Sequence, residues 1–138
     1  MKKPTIACAL MVGLISLSSG GFAASTPQCT LKTLKGTYIY STQGLSNGAL
    51  FGEAGQEVYD GKGTVTNNFT ASDGSSGTVT GTYTVTANCQ ARVTYSSGED
   101  ITLYVSPRGD VFTYIYNNTG EGNSKFGTET RTSLGFIR

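Results

Sequence analysis

The chain predicts an all-β fold, an antiparallel meander of about eight short strands closed as a small β-barrel, with one short helical turn near its start. Three observations predict it. Residues Thr78–Cys89 read T-V-T-G-T-Y-T-V-T-A-N-C. Thr78, Thr80, Thr82, Thr84 and Thr86 there alternate with Val79, Gly81, Tyr83, Val85 and Ala87, the period of a strand with one wet and one buried face. Similar runs recur at intervals of roughly 8–12 residues, separated by turns rich in Gly, Asp and Asn. No helical run alternates with them, which excludes a parallel βαβ sheet. Closure is favoured over a sandwich because consecutive hairpins need no crossover and a closed sheet has no edges.

Taken in order, residues 1–24 have the form of a bacterial-type secretory signal peptide. Lys2 and Lys3 are followed by the apolar run Ile6–Leu17 and by the small residues Ala23, Ala24 and Ser25, with cleavage expected after Ala23 or Ala24. The apolar run is shorter than the roughly 20 residues a spanning helix needs. A single domain over residues 25–138, secreted or periplasmic, is therefore expected, with no transmembrane segment once the signal is removed. Its charge balance is −1, against +1 for the whole chain. Without a basic cluster, nucleic acid is a poor partner.

Thr30–Lys35 places Leu31 and Leu34 three residues apart before Gly36, the pattern of one helical turn that plugs an apolar opening. Strands are expected over Thr37–Gln43, Ala49–Tyr59 and Thr64–Ser72, then the Thr-rich stretch, then Ala91–Ser96, Ile101–Ser106, Val111–Tyr116 and Lys125–Thr132. Gly44–Gly48, Asp60–Gly63, Asp73–Gly77, Ser97–Asp100 and Pro107–Asp110 read as turns, with Asn117–Asn123 as a polar loop. Val79, Tyr83 and Val85 are expected in the core. Arg108-Gly109-Asp110 has the letters of an adhesion motif, but Pro107 and Gly109 already account for it as a tight turn.

Cys8 leaves with the signal. Cys29 and Cys89 then allow one intramolecular disulfide in an oxidising compartment, worth about 4 kcal/mol on the chain-entropy model. Free or intermolecular thiols are the alternative.

Several chemistries are excluded. The chain has no histidine, which removes His-based triads, His metal sites and His proton shuttles. No D-x-D-x-D-G run or phosphate-cradling loop is present, so no metal or cofactor is expected. Two sets of residues remain as site candidates. Tyr83, Tyr95 and Tyr114 lie on apolar strand faces and either line a pocket for a small apolar ligand or fill a packed core. Glu57, Glu129 and Arg131 lie within strands. Glu53, Gly55, Glu57 and Tyr59 share one face, as do Lys125, Gly127, Glu129 and Arg131. If these faces point inward, the acids are buried, paired and candidates for acid–base catalysis. If they point outward, Ala54, Val58, Phe126, Thr128 and Thr130 form the core instead.

The motifs Cys29-x-Leu31-x-x-Leu34-x-Gly36-x-Tyr38, Asp60-Gly61-x-Gly63-x-Val65, Gly81-Thr82-Tyr83-Thr84-Val85 with Cys89 after it, Ser106-Pro107-x-Gly109 and Gly127-Thr128-Glu129-Thr130-Arg131 together resemble a group of small secreted bacterial proteins of uncharacterised function. The resemblance spans nearly all of residues 25–138. It implies a calycin-like barrel similar to allene oxide cyclase and dirigent proteins, and carries no catalytic motif of either. The functional expectation is a barrel that binds a small, mostly apolar molecule or serves as an envelope module. A cyclase- or isomerase-like enzyme and an extracellular interaction or matrix protein are the alternatives.

Overall fold

The computed structural model describes residues 28–117 and 120–135. The expected signal peptide, and Phe136 and Ile137 at the other end, lie outside the described residues.

Eight strands follow one another around a closed antiparallel barrel: β1 (Gly36–Ser46), β2 (Ala49–Tyr59), β3 (Thr64–Ala71), β4 (Ser76–Val85), β5 (Gln90–Tyr95), β6 (Asp100–Val105), β7 (Val111–Tyr116) and β8 (Ser124–Ser133). β8 returns to pair with β1, with Tyr40 opposite Glu129 and Gln43 opposite Phe126. A 3₁₀ turn, Leu31–Leu34, precedes β1. Asn47 and Gly48 both have positive φ, so this Asn-Gly pair makes the β1–β2 hairpin. The turn is two residues rather than five, and β1 runs on through Gly44 to Ser46. β4 runs from Ser76 to Val85, two residues earlier at both ends than the Thr78–Ala87 alternation suggested, and it stops because Thr86–Cys89 turn on a Cys89 N–H to Thr86 carbonyl bond.

One end of the barrel is sealed. Leu34 is fully buried there, and the Tyr83 hydroxyl donates to the Leu31 carbonyl at 3.0 Å. Cys29 and Cys89 are joined, with their Cα atoms 5.0 Å apart, which ties the chain ahead of the plug to the β4–β5 turn. Above the plug, Tyr38, Tyr59, Tyr83 and Phe112 form a ring cluster with centroids 5.1–6.0 Å apart, mostly edge to face. Val79 and Val85 pack against this core half-buried, while Tyr83 is buried.

The inward alternative for the charged faces is the one realised. Glu57 and Glu129 are buried, and Phe126, Thr128 and Thr130 lie outside with Ala54. Val58, half-buried, is on the same outer side by alternation. Glycines make the inward arrangement fit. Gly55, Gly81 and Gly127 stand directly across from Tyr40, Tyr95 and Tyr114 on neighbouring strands. Each tyrosine lies over bare backbone: a Cβ at Gly127 would fall 2.4 Å from the Tyr114 hydroxyl and 2.2 Å from the Ser41 carbonyl oxygen. The small residue on one strand is the space for the large one on the next. Gly127→Ala is expected to cost about 1–3 kcal/mol by overpacking. Urea denaturation should show a lower midpoint at unchanged slope, and an unchanged midpoint would refute the packing argument.

Candidate functional site

The strands alternate in direction, so the Asn47-Gly48, Ser72–Ser75 and Ser96–Glu99 turns gather at the end opposite the plug. The barrel is open there. A cleft of about 280 Å³ enters between these turns, and Phe51, Glu53, Asn67, Phe69, Glu99 and Lys125 are among its lining. Period-two alternation delivers them: Phe51 and Glu53 continue the inward face of β2, Asn67 and Phe69 that of β3, and Lys125 that of β8.

The cleft combines apolar walls with unspent polar capacity. Lys125 Nζ lies 4.1 Å from the Phe51 ring centroid and 5.3 Å from that of Tyr116. The Tyr40 hydroxyl donates to Glu53 Oε1 at 2.7 Å. Burial raises the Glu53 carboxyl above its ordinary range, with the Tyr40 bond acting against the shift. Asn67 is only 6% exposed, and its Oδ1 has no hydrogen-bond partner among the described residues. A buried carbonyl oxygen left unpaired costs about 1–3 kcal/mol, so this atom is an acceptor with unused capacity.

Below the cleft the barrel is filled. The space between Tyr40, Glu57, Tyr95, Tyr114, Tyr116 and Glu129 is about 10 Å³, room for at most one water. Its polar groups largely satisfy one another. Tyr59 donates to Glu57 Oε2 at 2.5 Å, Tyr95 donates to Glu57 Oε1, and the Thr42 and Tyr114 hydroxyls are 2.6 Å apart. Glu129 meets Glu57 side chain to side chain, while its Oε2 is unpartnered. Burial raises both carboxyls. Glu57 is pulled back by its tyrosine donors, whereas Glu129 is pushed well above the usual range by burial and by the Glu57 charge. Burial also holds Tyr59 and Tyr95 far above ordinary phenols, so they remain donors. The arrangement is a pair of buried carboxyls, Glu57 fed by tyrosine hydroxyls and Glu129 raised further by burial and by its neighbour's charge.

The structure thus brings Glu57, Glu129, Tyr95 and Tyr114 together, in a network that nothing larger than water reaches. Tyr83 and Arg131 lie at the sealed end. Arg131 Nη1 donates to the carbonyls of Thr33, at 3.3 Å, and Lys35, at 3.1 Å, and Nη2 donates to that of Arg108. It therefore clamps the plug to the β6–β7 turn. The Arg108-Gly109-Asp110 turn is held there too, since the Gly109 carbonyl accepts from Tyr38 and a Cβ at Gly109 would collide with the Thr33 carbonyl. The residues of the open cleft were less legible. The visible signal was Asn67, a polar side chain on the same face as Val65, Phe69 and Ala71.

No protein-family model matches the chain, and no curated protein matches its sequence significantly. The barrel is similar to solved structures of designed proteins. One is a de novo designed fluorescence-activating β-barrel, with a TM-score of 0.54 and 19% identity over 74% of this chain and 96% of that one. Another is a redesigned β-barrel, mFAP1, bound to DFHBI, with a TM-score of 0.51 and 25% identity over 74% of this chain and 98% of that one. Both likenesses support the closed barrel.

A wider depression of about 520 Å³ lies on the outer wall beside Tyr104, Ile115 and Phe126. It contains neither of the two unpartnered buried oxygens found among the described residues, so the open end is the better candidate. No group of three or more His, Cys, Asp or Glu side chains among the described residues is placed to hold a metal ion. No helix among them is long and apolar enough to cross a membrane.

Proposed function

We propose that the chain is a secreted or periplasmic small-molecule-binding barrel whose ligand sits in the open end, with its polar part on Asn67 and its apolar part against Phe51 and Phe69. The observation that carries this reading is the unpaired Asn67 Oδ1, buried at the wall of a cleft of about 280 Å³. A barrel with nothing to bind would have little reason to bury that oxygen unmatched. The binding of DFHBI by a redesigned barrel of similar architecture supports the reading. The filled interior supports it as well, because Glu57 and Glu129 have no room for a substrate and therefore brace the floor. The implied calycin-like relationship belongs to the same proposal and adds no activity to it.

The test is recovery of the ligand. Mass spectrometry of natively purified protein should find a small molecule in the wild type. Val79→Trp, which fills the cleft from the inward face of β4, should lack it while melting normally. Equal recovery from both proteins would place the ligand elsewhere.

A further inference from the structure

We propose that the open end recognises an organic ammonium ion carried on a small flat apolar group, and that Lys125 occupies the cation's place until the ligand displaces it. The inference rests on the binding reading above and names the chemical class of the ligand.

Three features carry it. First, the cleft already holds a cation. Lys125 reaches inward from β8, and its ammonium lies over the Phe51 and Tyr116 rings, at 4.1 and 5.3 Å from their centroids. Such a position is set by the negative face of the rings and suits any ammonium. Second, acids outnumber bases around it. Glu53, Asp73 and Glu99 line the cleft, with Lys125 as the only base there among the described residues. No carboxylate of the described residues forms an ion pair with Lys125. Glu53 offers only Oε1 to Tyr40, and Glu99 offers Oε2 to Ser97. Third, Asn67, nine-tenths buried on the same wall, bonds Tyr40 through its side chain but leaves Oδ1 without a donor. A primary or secondary ammonium supplies both the charge and the N–H.

Other ligand charges fit worse. An anion would meet three carboxylates with one lysine to offset them. A neutral molecule without a donor would leave Asn67 unpaired and the acids stripped of water, which costs free energy with no return. Lys125 tethered over the rings keeps the site from standing as uncompensated negative charge. It also competes with the ligand, so removing its charge should improve binding.

The experiment uses the disulfide-intact protein and three matched probes at neutral pH: benzylammonium, benzyl alcohol and benzoate. Binding is followed by amide chemical-shift changes at Glu53, Asn67 and Lys125. Benzylammonium should bind about tenfold more tightly than benzyl alcohol, and benzoate should not bind. Lys125→Gln should tighten benzylammonium about threefold, and Glu53→Gln should weaken it by a similar factor. If benzyl alcohol or benzoate binds as well as the cation, or if Lys125→Gln weakens benzylammonium, the ammonium assignment is overturned while the binding site stands. If no probe moves these amides, both readings are overturned. Melting curves of the two variants confirm that each is folded.

Discussion

Glu129→Gln is expected to raise the melting temperature at about pH 8 and to remove most of the stabilisation that the wild-type chain gains on acidification to about pH 5. Glu129 is buried beside Glu57, and its carboxyl is raised well above the ordinary range by burial first and by the Glu57 charge second. The folded protein therefore binds a proton there over a pH range in which the unfolded chain has released it. Stability falls with rising pH wherever the native state holds more protons than the unfolded one. The contribution of the pair is fully present below the unfolded value of 4.5 and is lost as pH rises through the raised folded value. Glu53, raised by burial, acts in the same direction.

The lower limit of that window is set by other groups. Asp73, Asp100 and Asp110 are held low by bonds from Ser75, Arg92 and Ser106. For Asp60 burial is the largest single effect and opposes the shift, but the N–H groups of Thr64, Lys62 and Gly63 together outweigh it. Their contributions are present above 3.8 and disappear as pH falls below it. Maximum stability is accordingly expected near pH 4–5, between the two sets. Glutamine at 129 keeps the shape, carries no ionisable proton, and can donate to Glu57 through its amide. At about pH 8 the gain should be about 1–3 kcal/mol, the scale on which buried polar groups are mismatched. Thermal melts of wild type and variant from about pH 4 to 9 decide the matter. Parallel profiles would show that the carboxyl pair does not govern the slope.

This pair also marks the limit of what the chain disclosed on its own. Alternation alone gave the strand faces, because side chains on a strand can point only to two sides. On β4 it also gave the inward face, where Val79, Tyr83 and Val85 alternate with exposed threonines, but on β2 and β8 both faces mix apolar and polar residues and it could not choose between them. On β8 the choice lay between Phe126, Thr128 and Thr130 and the more polar Lys125, Gly127, Glu129 and Arg131, and hydrophobicity pointed to the wrong face. The glycines carried the missing signal. Gly127, Gly55 and Gly81 are inward because a tyrosine across from each needs the volume, a cross-strand fact visible only once register is known. For the Tyr40–Gly55 pair that register follows from the two-residue Asn47-Gly48 hairpin, where the sequence alone predicts a turn over Gly44–Gly48. The open cleft was hidden for a further reason. Glu53, Asn67, Glu99 and Lys125 come from or beside four different strands, and closure of the barrel is what brings them around one opening.

Cys89→Ser is expected to cost about 2–5 kcal/mol, with part of the loss arising in the unfolded chain and part at the sealed end of the barrel. The bond joins residues separated by 60 positions, so its removal frees a long loop in the unfolded state. In the folded state it fastens the segment that enters the plug. Cys29 is buried, its N–H donates to the Ala87 carbonyl at 3.2 Å, and the Leu31–Leu34 turn that follows is too short to persist without packing. Leu34 is the side chain at stake, because it is fully buried against the core only while that turn is docked. The two contributions can be separated by a double-mutant cycle. Leu34→Ala alone should cost about 2–5 kcal/mol. If loss of the disulfide also loosens the plug, the same substitution should cost measurably less in the Cys29→Ser/Cys89→Ser background, giving a coupling of about 1 kcal/mol or more. Strict additivity would mean that the plug stays docked and that the disulfide acts on the unfolded chain alone. Identical melting of the wild type with and without reductant, with reduction verified by thiol counting, would show that the bond stabilises neither state.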